Sequence, residues 1–104
     1  MSYSINWMPK AFKTFHDRIE YLNIHWTEKE ITNFHKRVKE YLDILKDKPF
    51  IGKKAGKVKN VYIGLIRKQV SIIYRVKIRT KEIELLLFID NRQDPKKIEK
   101  YKPN

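Results

Sequence analysis

The chain has 104 residues, which suits one core, and its 41% hydrophobic and 12% aromatic content is enough to pack it. Lys and Arg number 24 against 12 Asp and Glu, a formal net charge of +12, and there is no cysteine, which excludes disulfides, thiolate metal sites and cysteine nucleophiles. No apolar run reaches the roughly 18–20 residues that span a bilayer, and the opening MSYSINWMPKAF lacks the basic-then-apolar pattern of a secretion signal. The expectation is one cytoplasmic domain over residues 1–104, without a membrane segment.

Residues 3–8 (YSINWM) alternate as a short first strand. Pro9 then opens a helix, where its missing N–H costs little, and Ala11, Phe12, Phe15, Ile19 and Leu22 follow helical spacing. The segment NIHW breaks that pattern. Thr27 and Glu30 next form a capping box, and Ile31, Phe34, Val38, Tyr41, Leu42 and Leu45 make one apolar stripe of a second helix. Pro49 predicts its end near Lys48. Residues 52–59 (GKKAGKVK) read as a basic, glycine-punctuated loop. Three strands are predicted after it, over residues 58–66, 69–78 and 83–89.

The middle strand alternates, with Val70, Ile72, Tyr74, Val76 and Ile78 on one face and Ser71, Ile73, Arg75, Lys77 and Arg79 on the other. The last strand is apolar on both faces, as an interior strand is. Short connections favour antiparallel pairing. The fold class is therefore α+β: an N-terminal strand and a helical hairpin packed on one face of a small antiparallel sheet (β-α-α-β-β-β). A largely basic surface is expected on the sheet's other face, and residues 98–104 read as a flexible basic tail.

Charge is unevenly placed. Residues 1–47 carry 8 basic and 7 acidic side chains, whereas residues 48–104 carry 16 and 5. One strongly basic half beside a near-neutral half points to a polyanion or an acidic protein as partner. His16, His25 and His35 form no metal-ligand spacing, so neither a metal nor another cofactor is expected. There is no nucleophile elbow, and GKKAG is neither a Walker loop nor an RNA-gripping GxxG loop. What remains is a set of Lys, Arg, Tyr, Asp and Asn side chains. Lys53, Lys54, Lys57 and Lys59 enter the sheet; Arg67 and Lys68 form a turn; Arg75 projects from the middle strand; and Asp90, Asn91 and Arg92 end the last. Arginine forks hold phosphates and can stabilise charge on a phosphorane.

The stretches INWMPKAFKTF, LDILKDKPFIGKK, QVSIIYRV and IELLLFIDNRQDP together resemble the RelE/ParE superfamily, the toxins of type II toxin–antitoxin systems, over nearly the whole chain. The resemblance implies the same α+β fold and a cognate antitoxin that masks the basic surface. It also implies one of two activities: RelE-like cleavage of mRNA on the ribosome, or ParE-like inhibition of DNA gyrase. In the ribonuclease reading Arg92, Arg75, Arg67 and Lys54 are the candidate catalytic groups. In either reading Lys53, Lys57, Lys68, Asn91, Lys96 and Lys97 are candidates for contacting nucleic acid or target.

Where the ribonucleases of the family place a Tyr after the last strand, this chain has Asp94-Pro95-Lys96-Lys97-Ile98, with Tyr101 further along. An acid/base pair would then have to come from Lys, Asp90 or Tyr74. The NRQDP ending lies closer to the ParE side. An mRNA interferase is the alternative, so whether the chain is an enzyme stays open, and a non-toxin RNA- or ribosome-binding module is the third reading.

Overall fold

The computed structural model describes residues 2–56, 58–67 and 70–90. Seven elements follow in chain order: β1 (Ser4–Trp7), α1 (Pro9–His25), α2 (Glu28–Asp47), β2 (Lys53–Lys54), β3 (Val61–Arg67), β4 (Val70–Lys77) and β5 (Glu82–Asp90). Pro9 occupies the first position of α1, as its lack of an N–H predicts. At the start of α2, Thr27 Oγ1 accepts from the Glu30 N–H at 3.2 Å, while the Thr27 N–H donates to Glu30 Oε1 at 3.4 Å, completing the capping box. None of the described helices is long and apolar enough to cross a membrane.

The five strands form one sheet in the order β1-β5-β4-β3-β2. Pairing is antiparallel throughout except at one edge, where β1 runs parallel to β5 with Ser4 opposite Glu82 and Trp7 opposite Leu85. The long excursion through both helices and three strands supplies the crossover that parallel pairing needs. At the other edge Lys53 and Lys54, expected in a loop, pair with Ile63 and Tyr62 as a two-residue strand.

Two bulges decide which side chains face which way. In β5, Leu87 lies opposite Ile73 but Leu85 opposite Tyr74, so Leu86 is an extra residue. Before it, Ile83 and Leu85 face the helices. After it the parity is reversed: Phe88 and Asp90 face the helices, while Leu87 and Ile89 turn to the opposite side. In β3, Leu65 pairs with Ser71 and Arg67 with Val70, so Ile66 is the extra residue and Arg67 comes to the helix side.

The main core lies between the helices and the sheet. Phe34, Val38 and Leu45 of α2 and Ala11 of α1 pack against Tyr62, Ile72, Tyr74, Val76, Ile83, Leu85 and Phe88. Each fully buried large apolar side chain here is worth about 1.5–3 kcal/mol. Trp7 ties the first strand into this core by stacking on Phe88 at 5.6 Å and on Phe12 at 5.0 Å. The far face of the sheet differs from the basic surface expected. Its centre is a second buried cluster of Ala55, Val61, Ile73, Leu87 and Ile89. Val61 and Ile73 reach that side by plain alternation, and the β5 bulge adds Leu87 and Ile89 to them.

Beyond Trp7, α1 takes over the edge of β5 that β1 no longer covers. The Phe88 N–H donates to Thr14 Oγ1 at 2.9 Å, and that hydroxyl donates onward to the Lys10 carbonyl at 2.7 Å. One helical turn later Arg18 Nη1 meets Asp90 Oδ2 at 2.8 Å. Four helical residues rise about 6 Å and two strand residues about 6.6 Å, so both contacts form together. Thr14→Val, which keeps the shape but leaves the buried Phe88 N–H without its acceptor, is expected to cost about 1–3 kcal/mol in urea unfolding. Thr14→Ser is expected to cost well under half as much. Equal losses in the two variants would show that the hydroxyl contributes nothing.

Candidate functional site

Of the residues singled out in the sequence, Lys53, Lys54, Lys59, Arg67, Tyr74, Arg75 and Asp90 fall within the described part of the chain, Lys59 in an exposed turn before β3. Lys57, Lys68, Asn91, Arg92, Lys96 and Lys97 lie outside it, as does the 98–104 tail. Arg75 sits on the far face of β4 directly opposite Glu84 of β5, and its Nη1 approaches Glu84 Oε1 at 3.5 Å. This ion pair explains a charged residue in an apolar strand: a cross-strand pair of opposite charge supports the sheet. Lys53 shares that face, two strands over, while Lys54 alternates to the other. Their exposed ammonium groups therefore do not converge on one point.

Arg67 and Arg75 are not brought together. Val61 lies opposite Arg75, and Arg67 is six residues further along β3, roughly 20 Å away. The bulge at Ile66 also puts Arg67 on the opposite side of the sheet. A single composite site containing both is therefore excluded.

The two residues considered for proton transfer are both engaged. Asp90 was expected at the rim of the basic face beside Arg75; the β5 bulge instead turns it toward α1 and Arg18, where it is only 7% exposed. Tyr74 is fully buried. Its hydroxyl accepts from the Gly52 N–H at 3.0 Å and is hydrogen-bonded to Tyr41. Glycine is required on both sides of this pair. A Cβ on Gly52 would lie 2.6 Å from the Tyr74 hydroxyl and 2.7 Å from the Ile63 carbonyl, and a Cβ on Gly64 would overlap the Tyr41 ring. Burial raises the pKa of both phenols, and for Tyr74 the neighbouring Tyr41 adds to the rise.

A different cluster emerges that the sequence reading passed over. On the exposed face of α2, Glu30, Asn33, Lys36, Arg37 and Glu40 recur at helical spacing, and with Arg67 they line an open groove of about 530 Å³. Arg37 Nε donates to the Ile66 carbonyl at 3.0 Å, and the Arg67 guanidinium lies 4.3 Å from the centre of the Trp26 ring. The i, i+3, i+4, i+7 polar stripe was legible in the sequence. Its partner Arg67 was not, because straight alternation assigns it to the far face.

Among the described residues no group of His, Asp and Glu is placed to hold a metal ion. His16 meets Glu20 at 3.4 Å, and His35 packs edge-on against Phe15. The described residues thus present basic and mixed-charge surfaces, and the Asp and Tyr that could move protons serve the fold.

Both phenols keep their protons more firmly in the folded chain than in the unfolded one, where tyrosine titrates near pH 10. The stability they contribute is whole below about pH 10 and is lost as pH rises from there toward the folded values. The urea midpoint is therefore expected to fall above about pH 10, and less steeply in Tyr74→Phe. Identical pH profiles for the two proteins would contradict the coupling.

No protein-family model matches the chain, and no curated protein matches it. Solved structures do. The chromosomal ParDE toxin–antitoxin system of P. aeruginosa superposes with a TM-score of 0.68 at 21% identity, covering 86% of this chain and 96% of that one. A mutant of the E. coli toxin RelE in the free state gives 0.66 at 13% identity over 97% of this chain and 94% of that one. The archaeal RelE–RelB complex of Pyrococcus horikoshii gives 0.65 at 18% identity, with 89% and 99% covered. These chains share the two helices packed on a mostly antiparallel five-stranded sheet described above, and the chain has the RelE/ParE toxin fold.

Proposed function

We propose that this protein is the toxin of a type II toxin–antitoxin system, arresting growth when free and neutralised by a cognate antitoxin. We further propose that it acts as a ParE-like inhibitor of DNA gyrase that cuts no nucleic acid. The fold supports the first statement, since the similar structures include toxins solved with their antitoxins. So does the charge: a half-chain with 16 basic and 5 acidic side chains suits an acidic neutralising partner.

The observation carrying the second statement is the engagement of Asp90 by Arg18 and of Tyr74 by Gly52 and Tyr41. Cleavage of RNA through a 2′-hydroxyl needs a base and an acid within hydrogen-bond reach of the reacting atoms. These two side chains, the candidates the sequence offered beside lysine, are turned into the interior. In this reading the basic residues contact the target. Arg92, with Asn91, directly follows Asp90, whose carboxylate is anchored to α1, and Arg92 is the first residue to replace.

Induction of the gene is expected to arrest growth, and co-expression of the neighbouring antitoxin gene to restore it. Purified toxin is expected to inhibit supercoiling by gyrase while leaving mRNA intact in primer extension on a translating extract. Arg92→Ala is expected to lower inhibition at least about tenfold with unchanged thermal stability. Cleavage between codon positions that vanishes in Arg92→Ala would instead establish the mRNA interferase. Absence of growth arrest would leave the RNA- or ribosome-binding module.

A further inference from the structure

The sheet ends unevenly at its β2 edge. Bonded and non-bonded residue pairs alternate along an antiparallel ladder, and the Val76 N–H donates to the Asn60 carbonyl at 2.8 Å. Tyr62 and Gly64 therefore bond to Tyr74 and Ile72 of β4, while the N–H and C=O of Val61, Ile63 and Leu65 turn outward. Val61 and Ile63 meet β2 there: the Ala55 N–H donates to the Val61 carbonyl at 2.8 Å, and Lys53 lies opposite Ile63. The same register would set Ile51 opposite Leu65, but the chain has left the sheet by that point. The Gly52 N–H goes to the Tyr74 hydroxyl, and the Ile51 N–H to the Lys48 carbonyl at 3.3 Å. Among the described residues no strand covers the outer side of Leu65, and its side chain is 61% exposed.

The surroundings of this open edge are apolar and carry one sign of charge. Phe50 and Ile51 are exposed, and Phe50 lies edge-on to the Tyr62 ring at 5.6 Å. Residues 48–59, which lead into β2 and out of it, hold five lysines and no Asp or Glu. Lys53 and Lys54 stand exposed on the two faces of β2 itself.

Each of these features narrows the occupant. Outward N–H and C=O groups on one residue match another extended backbone, which offers an acceptor and a donor at the same spacing. Exposed apolar side chains beside them favour a segment with apolar side chains of its own. The lysines select its charge. A second copy of this chain would set lysine against lysine and +12 against +12, and lysine on an edge strand is a common guard against self-pairing. An acidic segment meets no such cost.

We infer that the outer edge of β3 at Leu65 receives an extended acidic segment of a partner protein, added to the sheet as a strand. Its apolar side chains lie on Leu65, Ile51 and Phe50, and its carboxylates on Lys53 and Lys54. The partner's identity rests on the toxin reading, under which it is the antitoxin; the docking place rests on the edge itself.

The test is amide hydrogen exchange on the protein alone and in complex with the product of the neighbouring antitoxin gene. In the free chain the Leu65 amide is expected to exchange faster than that of Gly64, which bonds to β4; in the complex it is expected to slow at least about tenfold. Leu65→Thr removes the apolar side chain and keeps strand preference. It is expected to weaken calorimetric affinity at least about tenfold at an unchanged urea midpoint, and Ile51→Ser likewise. The pair Lys53→Glu and Lys54→Glu is expected to weaken binding more at low salt than at high salt. A complex whose Leu65 amide exchanges as fast as in the free chain would overturn the added strand. So would affinity that neither Leu65→Thr nor Ile51→Ser changes, or failure of the neighbouring gene's product to bind. Growth arrest decides the toxin reading separately. Arrest without Leu65 protection keeps that reading and removes this one, and protection without arrest does the reverse.

Discussion

The extra residue at Leu86 governs the rest of this structure, because a strand has a period of two and one inserted residue inverts every side chain after it. Ahead of the bulge, Ile83 and Leu85 enter the main core; behind it, Phe88 and Asp90 do so, and Leu87 and Ile89 build a second cluster on the far side. The same shift presents the Phe88 N–H to Thr14 and the Asp90 carboxylate to Arg18, docking α1 along the end of β5. A regular strand would point Asp90 at the far face and leave Arg18 with its charge against a half-buried surface. The near match between a four-residue step along the helix and a two-residue step along the strand lets one element serve as the edge of the other.

This docking bears directly on function. A buried carboxylate is costly unless it is paired and hydrogen-bonded, so Asp90 is committed to Arg18 and withdrawn from solvent chemistry. Tyr74 is committed in the same way, its hydroxyl placed between the Gly52 amide and Tyr41 where two glycines give it room. Both residues lie in the central strands β4 and β5. Their work in this chain is to hold the sheet against the helices and to fix the point from which Asn91 and Arg92 continue.

Charge follows the same logic at the surface. Arg75 in β4 and Arg18 in α1 are paired with Glu84 and Asp90, whereas Arg67 at the end of β3 lies against the Trp26 ring and Arg37 of α2 donates to the Ile66 carbonyl. Glu30 and Glu40 of α2 line the same groove as Arg37 and Arg67, so it carries both signs of charge side by side.

The sequence by itself determined the elements, because their signals are local. Helical spacing from Ala11 to Leu45, the Thr27–Glu30 cap, Pro9 at a helix start and the alternation of Val70 to Val76 each depend on neighbours within a turn or a strand, and together they gave the α+β class. Antiparallel order among the later strands followed from short connections. Tertiary structure alone decided what depends on distant pairing: the parallel seating of β1 beside β5, the two-residue strand at Lys53–Lys54, and both bulges. The β5 bulge is invisible in the sequence because Leu85, Leu86 and Leu87 are the same residue, and no composition signal marks which of three leucines is extra. The fate of the candidate site followed from them: Asp90 went inward to Arg18, Arg67 crossed to Trp26 and Arg37, and Arg75 stayed where alternation put it, opposite Glu84.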